Sequence, residues 1–193
     1  FPAGCVPEKQ SVGKAIEAAE DAFEGWAETP APRRGKILLN FARLLEGNKE
    51  RLAREMTEEM GKVLTESRGD VQEAIDMAEY MAGEGRRLFG RTTTSELKNK
   101  LCMTLRKPIG VVGCITPWNF PVAIPSWKLM PALVCGNTVV FKPSSDTPRC
   151  AVRFVELLTK AGIPKGVVNL VTGGGEEVGM NIVRDKRVRM VSF

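Results

Sequence analysis

Two short, charge-free apolar runs, Ile109 to Ile115 and Thr138 to Phe141, flank a segment long enough for a helix. Runs of this kind, bounded by turn residues, read as strands buried on both faces. The first stops at Thr116-Pro117, because Pro117 has no N–H to give a ladder. The segment from Trp118 to Gly136-Asn137 suits a helix, with Pro121, Pro125 and Pro131 each starting a turn or imposing a kink. The second run ends on Lys142-Pro143-Ser144-Ser145. Strand, helix, strand of this composition belongs to an open α/β sheet. Ligands bind beyond the C-terminal strand ends of such sheets, where this chain gathers its polar residues.

The alternation continues downstream. Val152, Val155, Leu158 and Ala161 trace one helix face, closed by Gly162 with Pro164 beyond it. Val167 to Val171 and Val188 to Phe193 read as a third buried strand and a fourth. The expected fold class is therefore α/β: a doubly wound, mostly parallel sheet of Rossmann-like type, over residues 109–193.

Residues 1–99 read as an amphipathic helical layer ahead of it. Val12, Ile16, Ala19 and Phe23 make one stripe. After Pro30 and Pro32, a second helix turns Ile37, Phe41 and Leu44 or Leu45 inward and Arg33, Arg34 and Arg43 outward. Asn48 is placed to cap a third, with Leu52, Met56 and Met60 aligned and Gly61 at its C′ position. A fourth runs from about Leu64 to Phe89, with Val71, Ile75, Ala78 and Ala82 on one face. Gly90 to Asn99 reads as a polar loop. Within 100–108, Leu101, Met103 and Leu105 alternate with Cys102, Thr104 and Arg106, which predicts a half-exposed strand in a separate sheet.

Composition narrows the function. At 43% hydrophobic and 26% charged, a chain of 193 residues builds an ordinary globular core. The net charge of +5 raises a nucleic-acid partner, but the basic residues interleave with acidic ones and never alternate with aromatics. No nucleic-acid partner is expected. No apolar run free of charge and proline reaches the ~20 residues of a membrane span, and Phe1-Pro2-Ala3-Gly4-Cys5 lacks a signal-peptide pattern. The expected location is cytoplasmic. With no histidine and no Cys-x-x-Cys among cysteines 5, 102, 114, 135 and 150, no zinc-type site or histidine-dependent triad is expected. Cys114 and Cys135 read as buried thiols, and the odd cysteine count fits a reducing compartment.

The run Gly173-Gly174-Gly175-Glu176-Glu177, followed by Gly179, imitates a dinucleotide fingerprint with one residue too many. Its two carboxylates fall in the first turn of the next helix, where they satisfy the dipole and repel a pyrophosphate. This excludes a standard phosphate grip there. Gly175 and Gly179 remain candidate cofactor-contact positions.

Taken singly, Asn119 is either a turn former or a side-chain donor to an oxyanion. Lys142 is either solvated or a ligand for a ribose hydroxyl or phosphate. Taken together the motifs say more. Thr116 to Pro121, Pro131-Ala132-Leu133 with Gly136-Asn137-Thr138, Phe141 to Pro148, Val168 to Gly173 and Val191-Ser192-Phe193 resemble the aldehyde dehydrogenase superfamily in order and spacing, over essentially the whole chain.

That resemblance implies oxidation of an aldehyde, most like the semialdehyde-oxidising members, with NAD or NADP. It makes Asn119 the oxyanion donor and puts Thr116, Pro117, Trp118 and Asn119 at the site, with Lys142, Ser144 and Ser145 near the adenosine ribose. It makes residues 100–108 part of an arm toward a neighbouring subunit, so a homo-oligomer is expected. Members that prefer NAD often carry a glutamate three residues after the motif lysine. Here Ser145 stands there, which favours NADP at least as much as NAD. The family's nucleophilic cysteine and general-base glutamate match nothing in this chain, so an internal piece of such an enzyme, inactive alone, is expected. A truncated product acting only in subunit association is the alternative. A short-chain reductase is disfavoured, since the sole Tyr80 has Glu84, not lysine, four residues on.

Overall fold

The computed structural model describes residues 9–193, with side chains from Val12 onward; Cys5 and the amino end lie outside the described residues. Three helices come first: α1 (Lys9–Glu28), α2 (Ala31–Met60) and α3 (Leu64–Glu84). Strands β1 (Thr92–Thr93) and β2 (Cys102–Met103) follow. Then come β3 (Val111–Ile115), α4 (Ala123–Val134), β4 (Thr138–Lys142), α5 (Pro148–Ala161) and β5 (Val168–Leu170). A π-helical turn, Gly175–Gly179, runs into α6 (Met180–Arg184), and β6 (Val188–Ser192) completes the order.

The four β3–β6 strands form one parallel sheet in the order β5-β4-β3-β6. The chain winds outward from β3 through β4 to β5, then crosses back to place β6 on the other side of β3. The order reverses between β3 and β6, so the switch point lies at the C-terminal ends of those two strands. Alternation along the strands divides the core. Val112, Cys114, Val139 and Phe141 belong to the cluster built with α2, α3, α4 and α5. Val111, Val140 and Val171 pack instead with Val12, Ile16 and Ala19 of α1 and Ile182 of α6. Gly113 lets α6 approach: a Cβ there would lie 2.5 Å from Ile182 Cγ2.

The first three helices thus divide: α1 lies against the sheet, while α2 and α3 pack on α4 and α5. The two helices expected between Pro32 and Met60 are one helix of 30 residues. Phe41, Leu45, Leu52 and Met56 stay in phase on a single buried stripe. Asn48 caps nothing; its Nδ2 donates to Leu44 O at 2.7 Å. Exposed Gly47, beside the expected break, costs only ~1 kcal/mol relative to alanine, too little to break so long a packed helix. Gly61 ends the helix in the left-handed conformation at φ 77°. Helix α3 stops at Glu84, short of Phe89, where Gly85 meets α2 closely; a Cβ on Gly85 would sit 2.7 Å from Ala31 O.

Four further expectations are corrected. Arg34 is not outward: it is buried, with its guanidinium turned onto carbonyls of α1 and α4. Thr92 and Thr93, read as loop, pair antiparallel with Met103 and Cys102 in a small separate sheet. That sheet is exposed on both sides rather than half-exposed, with Leu101 and Leu105 about as open as Met103 or more so. Strand β5 is an edge strand of half-buried residues; the buried members of its run are the flanking Val167 and Val171.

Candidate functional site

The ladder between β3 and β4 continues one residue past β3, where the Thr116 N–H donates to Lys142 O at 3.0 Å. Pro117 ends it. Thr116 is buried, and its Oγ1 is one of three buried side-chain atoms among the described residues with no hydrogen-bond partner. Pro117, Trp118 and Asn119 then emerge into solvent, Trp118 at 54% exposure.

Lys142, the last residue of β4, is 4% exposed, and its Nζ donates to Pro143 O at 3.0 Å. Burial holds its pKa below the ordinary value. Ser145 Oγ donates to Gly173 O at 3.1 Å, tying the loop after β4 to the loop after β5. Ser144 Oγ donates to Asp146 Oδ2 at 3.0 Å, which keeps that carboxylate on a local turn. Gly179 faces the Lys142 stem, a Cβ there lying 3.7 Å from Lys142 Cδ. Gly175 is exposed and has open space where a Cβ would stand, so packing does not require glycine at that position. The fold therefore gathers Thr116, Lys142, Ser145 and Gly179 at one sheet edge and carries Trp118 and Asn119 outward from it.

Sequence reasoning missed the group that holds the Asn119 loop. Asp70, on α3, is 1% exposed, and its Oδ1 accepts the N–H groups of Val122 at 3.3 Å and Ala123 at 2.7 Å. Lys62 Nζ lies 3.0 Å from Asp70 Oδ2 and donates at 2.8 Å to the main-chain O of Asn119. The same ammonium stands 3.7 Å from the centroid of the Phe120 ring. Burial raises the Asp70 pKa, and the Ala123 amide, Lys62 and the Val122 amide pull it back.

Glu59 plays a matching part for α5, accepting the N–H groups of Arg149 at 2.6 Å and Cys150 at 2.9 Å. Both crossover helices thus have their N-terminal donors taken by carboxylates of α3 and α2, and Glu176 and Glu177 occupy the turn before α6. At α4 and α5 these carboxylates, rather than an incoming anion, take the helix-start donors. Neither cap has a local signal, since each partner is at least 52 residues away in the chain.

The described thiols are ill-suited to nucleophilic attack. Burial pushes Cys114 up to about 12. Burial also raises Cys150, with the Glu59 carboxylate adding to it, and raises Cys135. Cys102 is exposed, out on β2. Among the described residues no three His, Cys, Asp or Glu side chains are placed to hold a metal ion, and no helix is long and apolar enough to cross a membrane. What the edge does fit is an anionic, hydroxyl-rich group such as a nicotinamide dinucleotide. It offers a buried ammonium on Lys142 and the unpartnered Thr116 hydroxyl.

The description "Aldehyde dehydrogenase family" belongs to the family model that matches residues 6–193. The 2,5-dioxopentanoate dehydrogenase of Saccharolobus solfataricus is 45% identical over 185 residues, 96% of this chain and 39% of that protein. A solved NADP-dependent enzyme of E. coli superposes with a TM-score of 0.95 at 40% identity, over 97% of this chain and 40% of its own. The NAD-dependent aldehyde dehydrogenase of Sinorhizobium meliloti gives 0.92 at 39% identity, over 95% of this chain and 37% of its own. The chain spans about two fifths of the length of these relatives. With its family model matched over residues 6–193 and its fold shared with these enzymes, the chain belongs to the aldehyde dehydrogenase family.

Proposed function

We propose that this chain is a segment of an NAD(P)-dependent dehydrogenase that oxidises an aldehyde, a semialdehyde in particular, to a carboxylic acid. The observation that carries this reading is the meeting of Thr116 and Lys142 at the sheet's switch point, with the β3–α4 loop that bears Asn119 leaving directly from it. A substrate with both a carboxylate and an aldehyde is supported by the relative named for 2,5-dioxopentanoate. When bound, the dinucleotide supplies the hydride acceptor, and Lys142, Ser144, Ser145 and Gly179 are the residues that would hold it.

In this reading a cysteine thiolate from another part of the protein attacks the carbonyl carbon, and the carbonyl oxygen becomes the oxyanion of a thiohemiacetal. Asn119 donates a side-chain N–H to that oxygen. One such preorganised donor is worth ~3 kcal/mol of barrier. Water then hydrolyses the thioester left after oxidation. Thr116 and Trp118 line the site. This chain supplies the electrophilic helper and part of the cofactor site, and none of its described thiols suits the nucleophile's role. A second reading, subunit association without catalysis by this polypeptide alone, is favoured by the exposed Leu97, Leu101 and Leu105 around the β1–β2 pair. Both readings take the assembled protein to be a cytoplasmic homo-oligomer.

The test is Asn119→Ala in the full-length enzyme. A fall in kcat of roughly 10²–10³ with dinucleotide affinity unchanged supports the role. A loss of less than about fivefold in a folded protein would return Asn119 to a turn-forming role.

A further inference from the structure

Lys62 joins two places that a surface lysine has no reason to join. Its side chain is 8% exposed and that of Asp70 is fully buried, so the pair sits between α3 and the loop that leads into α4. From there the two residues hold the loop at both ends. Lys62 takes the carbonyl of Asn119 at 2.8 Å and caps the Phe120 ring, while Asp70 takes the amides of Val122 and Ala123. The peptide between Asn119 and Phe120 is therefore fixed by its oxygen, and that peptide sets the direction in which the Asn119 side chain leaves the backbone.

A buried ion pair is a poor source of stability, because desolvating both charges offsets most of their attraction. Stability alone thus gives little reason to bury a lysine here. Orientation gives a better one. An oxyanion donor works only when its N–H is aimed in advance at the place where charge develops. Asn119 is exposed, and no side-chain contact of its own fixes it among the described hydrogen bonds. We propose that the Lys62–Asp70 pair is the positioning device for Asn119, fixing the Asn119–Phe120 peptide and with it the Cα–Cβ bond from which the side-chain amide reaches toward the oxyanion. The proposal rests on the oxyanion role given to Asn119 above.

The experiment uses the full-length enzyme and five variants: Lys62→Met, Lys62→Arg, the double variant Lys62→Met/Asp70→Asn, Asn119→Ala, and Lys62→Met/Asn119→Ala. The Lys62→Met/Asp70→Asn variant removes both charges, leaving no lone buried carboxylate, and the side-chain amide oxygen it introduces can still accept the α4 amides. It keeps the proposal testable where Lys62→Met fails to fold. The expected result is a fall in kcat of about tenfold to a hundredfold in both charge-removing variants, from misplacement of the donor. The dinucleotide KM stays unchanged, and Lys62→Arg restores most of the loss. In an Asn119→Ala background the lysine change should cost almost nothing further, since there is no amide left to aim; where Lys62→Met does not fold, the Lys62→Met/Asp70→Asn change is made in that background instead. Normal kcat in a folded charge-removing variant overturns the proposal, and so does a lysine effect that multiplies in full with that of Asn119→Ala. If Asn119→Ala itself leaves kcat intact, the oxyanion reading has failed, whatever the lysine variants do.

Discussion

Arg34 Nε donates to the carbonyl of Val134 at 2.9 Å, across 100 residues of chain, and so joins the start of α2 to the last residue of α4. Its Nη1 also donates to Ala27 O at 3.1 Å and to Thr29 O, at the end of α1. One guanidinium therefore covers the C-terminal carbonyls of two helices, where a positive charge also meets the negative ends of their dipoles. Gly136 makes room for it, since a Cβ there would lie 3.2 Å from the guanidinium carbon. Hydrogen bonds to a charged group contribute more than neutral ones, and losing them strands buried acceptors. Arg34→Met should lower unfolding stability by about 3 kcal/mol or more, with Arg34→Lys losing less. Urea unfolding of the full-length protein measures this. A loss under about 1 kcal/mol would mean that water replaces the guanidinium at those carbonyls.

Arg34 also marks the limit of what the sequence makes legible. The two central buried strands, β3 and β4, the βαβ order and the helix stops at Gly61 and Gly162 are set by adjacent residues, and they read correctly. Lys142 and Ser145 could be placed at a sheet edge for the same reason, because they follow directly on a buried run. Arg34, Glu59, Lys62 and Asp70 do their work on partners about 50 to 100 residues away. On a helix face or in a short connection, each looks like any solvated charge. Asn48 failed in the opposite sense. Its local signal for a cap was real, but a continuous apolar stripe against α3 outweighed it.

Thiol chemistry separates the described cysteines. With its pKa pushed up to about 12 by burial, Cys114 holds roughly one part in ten thousand as thiolate at pH 8. Cys150 is shifted upward too, and both lie in the core. A thiol-specific chromogenic reagent at pH 8 should therefore modify exposed Cys102 quickly, a phase diminished by Cys102→Ser. Cys114 and Cys150 should react only in denaturant. Moving from pH 8 to 9 should leave them protected. A preparation of the 193-residue chain alone should oxidise no aldehyde, and NAD(P)H formation abolished by the same reagent would overturn that expectation.

The Ser145 position should govern the choice between NAD and NADP. Its hydroxyl proton is given to Gly173 O, so in the proposed reading it would admit a 2′-phosphate by being small and uncharged rather than by donating. Asp146 is engaged with Ser144. No carboxylate therefore stands at the third position after Lys142 to repel a phosphate of about −2 charge. The expected outcome is that kcat/KM with NADP at least equals that with NAD, and that Ser145→Glu shifts selectivity toward NAD. A tenfold or greater preference for NAD in the unmutated enzyme, or no change in the variant, would assign the choice to other residues.

Lys142 gives the pH dependence its sign, and the sign differs between free and ligand-bound protein. Burial holds its pKa below the usual 10.5, so in the window between the folded value and 10.5 the unfolded chain binds the extra proton. Stability from this group should then rise with pH through that window. A dinucleotide bound at Lys142 favours the charged ammonium and so must take up a proton there. Its affinity should fall as pH rises through the lysine's pKa in the free protein. Fluorescence titration of the dinucleotide in the full-length enzyme, at pH values from neutral up to about 10.5, reads the slope. Lys142→Met should bind more weakly at every pH and lose the dependence. An identical slope in the variant would place the titrating group elsewhere and remove Lys142 from the cofactor site.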